Sequence, residues 1–171
     1  MAESTAIARY LDTTYPDTPR AIPEGTEAFH QVLQVALRTA IDTRPFGYLV
    51  RPLVPPLLSP DSAAHYEVLN KNFIDDALLE ELSVLGSPAR EEQLAAVENE
   101  LGKVAKWMEV DGKERRFFMG DTPSYADFMI GSPLENMKKV LGDESEEWRR
   151  IEGWHGGRWG RLLESLEALS N

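Results

Sequence analysis

The sequence predicts an all-α bundle, and three observations carry that prediction. Apolar residues recur at the helical interval of about 3.6 residues, no segment alternates like a strand, and short polar or Gly/Pro turns separate the segments. Short connections between amphipathic helices make them antiparallel neighbours. At 171 residues the chain is long enough for one domain with a sizeable core.

In chain order, residues 4–13 place Ile7, Tyr10 and Leu11 on one face of a short helix, expected to stop before Tyr15-Pro16 because proline restricts the residue ahead of it. Residues 15–25, with three prolines and a glycine, read as an extended connector. Thr26 is placed to cap a helix with a buried stripe of Phe29, Val32 or Leu33, Ala36, Leu37, Ala40 and Ile41. Residues 43–60 are apolar and proline-rich together, which predicts an ordered loop packed on the bundle rather than a regular helix. A helix is expected from Asp61 to about Leu85, ended by Gly86 in the left-handed conformation. Ser87-Pro88 reads as a cap followed by proline at the first helical position, and Leu94, Val97, Leu101, Ala105 and Met108 share one face beyond it. After the turn 109–116, two or three helices are expected over 124–141, 144–152 and 158–169. The glycines of Trp154-His155-Gly156-Gly157-Arg158-Trp159 mark a sharp break before the last of them.

Composition narrows the function. A net charge of −11 and a pI of about 4.7 argue against unspecific binding to nucleic acid or anionic membrane, because a phosphate backbone needs Lys and Arg to displace its counterions. With no cysteine there is no disulfide framework and no thiolate chemistry. His30, His65 and His155 are isolated and lack metal-ligand spacing. The N-terminus has neither a basic region nor an apolar core of a secretory signal, and residues 46–58 are too short and too broken by proline to span a bilayer. A cytoplasmic protein without covalently bound cofactor is expected.

The sharpest motif is Gly120-Asp121-Thr122-Pro123-Ser124-Tyr125-Ala126-Asp127-Phe128. Ser124 fits an N-cap and Asp127, three residues on, can reach back to its amide, which makes a capping box with Pro123 and Phe128 at the staple positions. This is a structural device and not a chemical one. Gly-Asp-x-x-Ser/Thr-x-Ala-Asp opening a buried helix resembles the C-terminal domain of glutathione transferases. Phe117-Phe118-Met119 ahead of the box and a tryptophan-rich final helix after it agree with that family. Leu57-Leu58-Ser59-Pro60 with Ser62 and Tyr66 looks like the fungal, etherase-related branch. That branch often places basic residues around this serine and tyrosine, whereas Asp61, Glu67 and Asn70 stand here.

The resemblance divides the chain at residues 1–25, a remnant helix and interdomain connector, and 26–171, the helical domain. It implies that Glu3-Ser4 descends from the dipeptide that binds the γ-glutamyl end of glutathione, since an acidic side chain suits an ammonium and a helix start with a serine suits a carboxylate. The β-α-β unit with the thiol-activating residue is not found ahead of it, so no catalytic residue is carried over and glutathione, as co-substrate, is expected to bind weakly. Phe46, Tyr48, Arg51 and Trp154 are the candidates for an apolar second-substrate pocket. Two functions follow. One is conjugation of glutathione to apolar electrophiles once a thioredoxin-like domain is supplied; the other is a non-catalytic module that holds apolar small molecules or forms a homodimer. An exposed apolar face where the thioredoxin-like domain would dock is expected in both.

Overall fold

The computed structural model describes residues 4–70 and 73–170. Among them there are eight α-helices and no strand: α1 (Ser4–Thr14), α2 (Glu27–Ala40), α3 (Arg44–Val50), α4 (Pro60–Asn70), α5 (Asp76–Ser83), α6 (Pro88–Met108), α7 (Tyr125–Leu141) and α8 (Glu146–Glu167). The architecture is the expected all-α bundle. Its axis is α6, which begins as predicted: Ser87 Oγ accepts from the Arg90 amide at 3.2 Å and Pro88 occupies the first turn. Leu94, Val97, Leu101, Ala105 and Met108 are all buried along its face. They meet Leu49 and Val50 of α3, Ile130, Leu134 and Met137 of α7, and Trp148, Ile151, Trp159, Leu162 and Leu163 of α8 in one continuous core.

Four local expectations are corrected. Residues 43–60 are helical: α3 is followed by 3₁₀ turns at Arg51–Leu53 and Pro55–Leu57. Pro45, Pro52, Pro55 and Pro56 each fall in a first turn, where the absent N–H has no helical partner to lose. The helix expected over 61–85 is two helices, because Asn70 ends α4 and Asp75 caps α5 by accepting from the Leu78 amide at 2.9 Å. Thr26 occupies the N-cap position of α2 without capping it; its hydroxyl donates to the Pro23 carbonyl at 2.6 Å.

The fourth correction concerns which faces are buried. In α2 the buried residues are His30, Gln34 and Leu37, while Phe29 and Val32 are exposed and Leu33 and Ala36 half-buried. Ala40 is exposed as well, so the expected stripe is rotated. In α1 the buried residues are Thr5, Ala8 and Asp12, and Ile7, Tyr10 and Leu11 face solvent. The cause is long-range hydrogen bonding. Both Asp12 carboxylate oxygens accept from the connector, from the Ala21 amide at 2.7 Å and the Ile22 amide at 2.8 Å. The connector 15–26 runs as successive turns that carry Ile22 into a small second core with Ala8 and Tyr125.

Candidate functional site

The structure holds a half-open cavity of about 560 Å³ between α1, α2, α3, α6 and α7. From α2 come Gln34, Leu37 and Arg38, whose spacing puts them on one helical face, and Ile41 follows at the C-terminal cap. Phe46 enters from α3, Leu101 and Val104 from α6. Thr43 adds to it ahead of α3, and the first three turns of α7 supply Tyr125, Met129, Ile130 and Pro133 among others. Pro133 lies inside α7, so the Met129 carbonyl, four residues back, has no amide to receive. Ser4 of α1 closes one end.

That end is polar and internally bonded. Ser4 Oγ and the Tyr125 hydroxyl are 2.6 Å apart; Thr5 Oγ1 donates to the same hydroxyl at 3.2 Å, and Gln34 Nε2 donates to Thr5 Oγ1 at 3.0 Å. The capping box places Tyr125 there. The Asp127 carboxylate is fully buried, with Oδ2 accepting from the Ser124 amide at 2.8 Å and the Ser124 hydroxyl at 3.0 Å. Its Oδ1 accepts from the Phe118 amide at 2.9 Å, which ties α7 to the turn closed by Phe117 and Gly120. Gly120 has φ +84°, a conformation open to glycine and costly for other residues. The Tyr125 amide donates to the Ala21 carbonyl at 2.7 Å, so the connector is pinned at the same point.

Of the residues singled out from sequence, Ser4 and Phe46 line this cavity. Glu3 lies outside the described residues. Tyr48 is half-buried elsewhere on α3, and Arg51 stacks over the Phe73 ring with its guanidinium carbon 4.3 Å from the centroid. Trp154 packs half-buried against the main core and does not line the cavity. Ser124 and Asp127 are buried and structural. Gln34, Arg38 and Tyr125 were not singled out. The available signal was their register: Gln34 and Arg38 sit at i and i+4 beside Leu37 and Ile41, and Tyr125 follows the cap.

The other titratable groups do not form a reactive cluster. Among the described residues, no three His, Asp or Glu side chains are placed to hold a metal ion. His155 accepts the Trp159 indole N–H on Nδ1 at 2.9 Å, and burial holds its pKa below the ordinary 6.5. No described helix is long and apolar enough to cross a membrane.

Residues 27–169 match the family model for the glutathione S-transferase C-terminal domain. No curated protein matches the chain. Among solved structures, it is similar to a glutathione S-transferase of Ceriporiopsis subvermispora in complex with glutathione, at 37% identity and a TM-score of 0.85 over 98% of this chain and 66% of that one. A second glutathione S-transferase of the same fungus, also in complex with glutathione, superposes at 35% identity and a TM-score of 0.89, over 98% of this chain and 65% of its own. A glutathione transferase of Phanerochaete chrysosporium follows at 32% identity and a TM-score of 0.83, over 98% of this chain and 64% of its own. The chain thus spans just under two thirds of the length of the structures it matches.

Proposed function

The chain belongs to the glutathione S-transferase family, and on that premise we propose that its cavity is the apolar-substrate half of a glutathione-conjugating site. The observation that carries this reading is the continuity of the cavity: an apolar wall from Phe46 to Ile130 ends at the Ser4–Tyr125 pair, on the side assigned by family resemblance to glutathione. A concave, mostly apolar site with a few convergent polar groups suits a small aromatic or alkyl electrophile. Ser4 lies at the edge assigned to the γ-glutamyl end, and the family resemblance gives the same role to Glu3, its neighbour in sequence. Activation of the thiol falls to a thioredoxin-like domain that docks on the exposed face of α1, where Ile7, Tyr10 and Leu11 are uncovered. Conjugation by the 171-residue chain alone is therefore expected to be absent. The test is turnover of a standard aryl halide with glutathione; robust conjugation by this chain overturns the division of labour.

A second reading, a non-catalytic cytoplasmic module that binds apolar molecules and pairs with itself, is favoured by one observation. Phe29, Val32 and Val35 form an exposed apolar row on α2. Sedimentation equilibrium that returns only monomer, together with no affinity for apolar dyes, removes this reading.

A further inference from the structure

A second cavity, of about 530 Å³, opens where the turn between α5 and α6 meets the junction of α7 and α8. It shares no lining residue with the cavity that ends at Ser4. Its floor is apolar: Leu53 comes from the 3₁₀ turn after α3, Val140 and Leu141 from the end of α7, and Leu85 from the α5–α6 turn. Leu85 is 68% exposed, so a large apolar side chain stands at the mouth largely uncovered. The rim is acidic. Glu91, Glu146 and Glu147 line it against one cation, Arg150. Two of these carboxylates are committed, Glu147 to the buried Arg90 and Glu91 to Arg150 at 2.9 Å. Glu146 is exposed and makes no ion pair or side-chain hydrogen bond with any described residue. Among the described lining residues the cation is therefore already paired, and one carboxylate is left over beside an apolar floor.

A carboxylate in the first turn of α8 complements the helix dipole, which accounts for an acid at that position but not for the apolar floor next to it. The two together match a ligand with an apolar body and a positive head. An ion pair gains strength where apolar neighbours exclude water, and the chain's charge of −11 draws cations toward the surface. We propose that this second cavity binds amphipathic amines, an aryl or alkyl body that lies on Leu53, Leu85, Val140 and Leu141 and an ammonium that pairs with Glu146. Neutral ligands of the same shape gain the floor alone. Carboxylic acids of that shape meet an excess of negative charge at the rim.

The test is a titration of the full chain with phenylpropylamine, phenylpropanol and phenylpropionate, three ligands of one shape and different charge, followed by nitrogen–proton correlation spectra. Shifts at the amides of Leu85, Gly86, Glu146 and Glu147 report this cavity, and shifts at Leu37, Val104 and Ile130 report the one that ends at Ser4. At the first set the amine is expected to bind more tightly than the alcohol by roughly two- to fivefold, the range of an exposed ion pair, and the carboxylate more weakly than either. Added salt shrinks the preference for the amine. Glu146→Gln brings the amine to the level of the alcohol and leaves the alcohol unchanged, while Leu85→Ser weakens both. Glu146 and Leu85 are exposed, so both variants keep the fold. Equal affinity for amine and alcohol in the wild type, a preference that survives Glu146→Gln, or amine binding indifferent to Leu85→Ser overturns the proposal. So do shifts confined to the second set of amides, which leave the reading of the cavity at Ser4 standing.

Discussion

Arg90 is fully buried at the start of α6 and reaches two elements at once. It donates from Nη2 to Glu147 Oε2 at 2.7 Å, with a second bond from Nε to Oε1, and from Nη1 to the Leu82 carbonyl at 2.8 Å. The end of α5 and the start of α8 are thereby fastened to α6. Removing one partner of such a pair strands the other charge away from water, so Arg90→Ala is expected to cost about 3–5 kcal/mol in urea unfolding. The double replacement Arg90→Leu with Glu147→Leu is expected to cost much less, because no orphan ion remains. Equal losses in the single and double variants would contradict this. Asp127 is fully buried as well, and Asp127→Ala leaves the Phe118 and Ser124 amides unpartnered at a cost of about 2–4 kcal/mol. Burial pushes its pKa above the ordinary 3.8, and the amides of Phe118 and Ser124 with the Ser124 hydroxyl pull back only part of that shift. The folded state thus holds this proton more tightly than the unfolded state does. The stability contributed by that proton is complete below 3.8 and declines as pH rises through the higher folded value. Asp127→Asn lacks the slope. The stability of the wild type relative to Asp127→Asn is expected to fall between about pH 3 and pH 6; a rise identifies the hydrogen bonds as the stronger influence.

Among the helices, α8 has the least regular backbone and the most specific pairing. Trp154 is extended, and His155, Gly156 and Gly157 follow with φ of +53°, +71° and +77°. Two glycines carry this left-handed run at little cost, while His155 is held there by the Trp159 indole N–H on its Nδ1. That bond needs the neutral ring. Since the folded pKa lies below 6.5, the unfolded chain binds more protons in this range, and the His155 contribution is present above 6.5 and lost as pH falls through the folded value. His155→Asn tolerates the left-handed conformation and offers a carbonyl to the indole. Its Tm is expected to fall less between about pH 7 and pH 5 than that of the wild type; identical falls would sink the idea. Beyond the break, Arg158 donates to the Arg115 carbonyl at 2.9 Å and pairs with Glu109, which anchors the second half of α8 to the turn after α6. Where α8 meets α7, a Cβ on Gly131 would stand 2.4 Å from Leu166 Cδ1. That methyl ends a half-buried side chain able to turn aside, and alanine gains about 1 kcal/mol of helix propensity, so Gly131→Ala is expected to be close to neutral. Gly131→Leu overfills the contact and is expected to cost about 1–3 kcal/mol in the same unfolding measurement. The legibility of these helices in sequence differs for a physical reason. α6 is readable because its start signal and its apolar stripe are both local. α3 is not, because a proline is a breaker or a starter according to register, and the tertiary fold sets the register. The buried faces of α1 and α2 depend on Thr5, Asp12 and Gln34 meeting partners on other elements, which no periodicity records. The site divides in the same way: Ser4 and Phe46 follow from motif and family, whereas Arg38 and Tyr125 acquire meaning only when α2 and α7 are brought side by side.

In the whole molecule α1 stands apart from the rest. The main core joins α3, α6, α7 and α8 through large apolar side chains, while α1 and the connector bury only Ala8 and Ile22 against Tyr125. What holds α1 is polar: Asp12 on two connector amides, and Ser4 and Thr5 on the Tyr125 hydroxyl. Such an element, with an exposed apolar face and few buried contacts, opens at a lower free energy than a core helix. In native-state hydrogen exchange the amides of α1 are therefore expected to exchange through a local opening, and those of α6 only through global unfolding. Asp12→Ala removes the acceptor for two amides and is expected to speed α1 exchange by about tenfold or more while leaving α6 nearly unchanged. The cavity turns this weakness into a readout. Because Ser4 forms one end of it, a ligand that fills the cavity binds the closed arrangement of α1 in preference to the open one, and mass action makes opening costlier by about 1.4 kcal/mol for each tenfold excess of ligand over Kd. Saturation with a ligand that fills the cavity is thus expected to slow exchange in α1 more than in α4 or α5, which do not line it. Protection that rises equally in all three helices would mean that the ligand stabilises the bundle without engaging Ser4, and would detach the proposed glutathione edge from the apolar pocket.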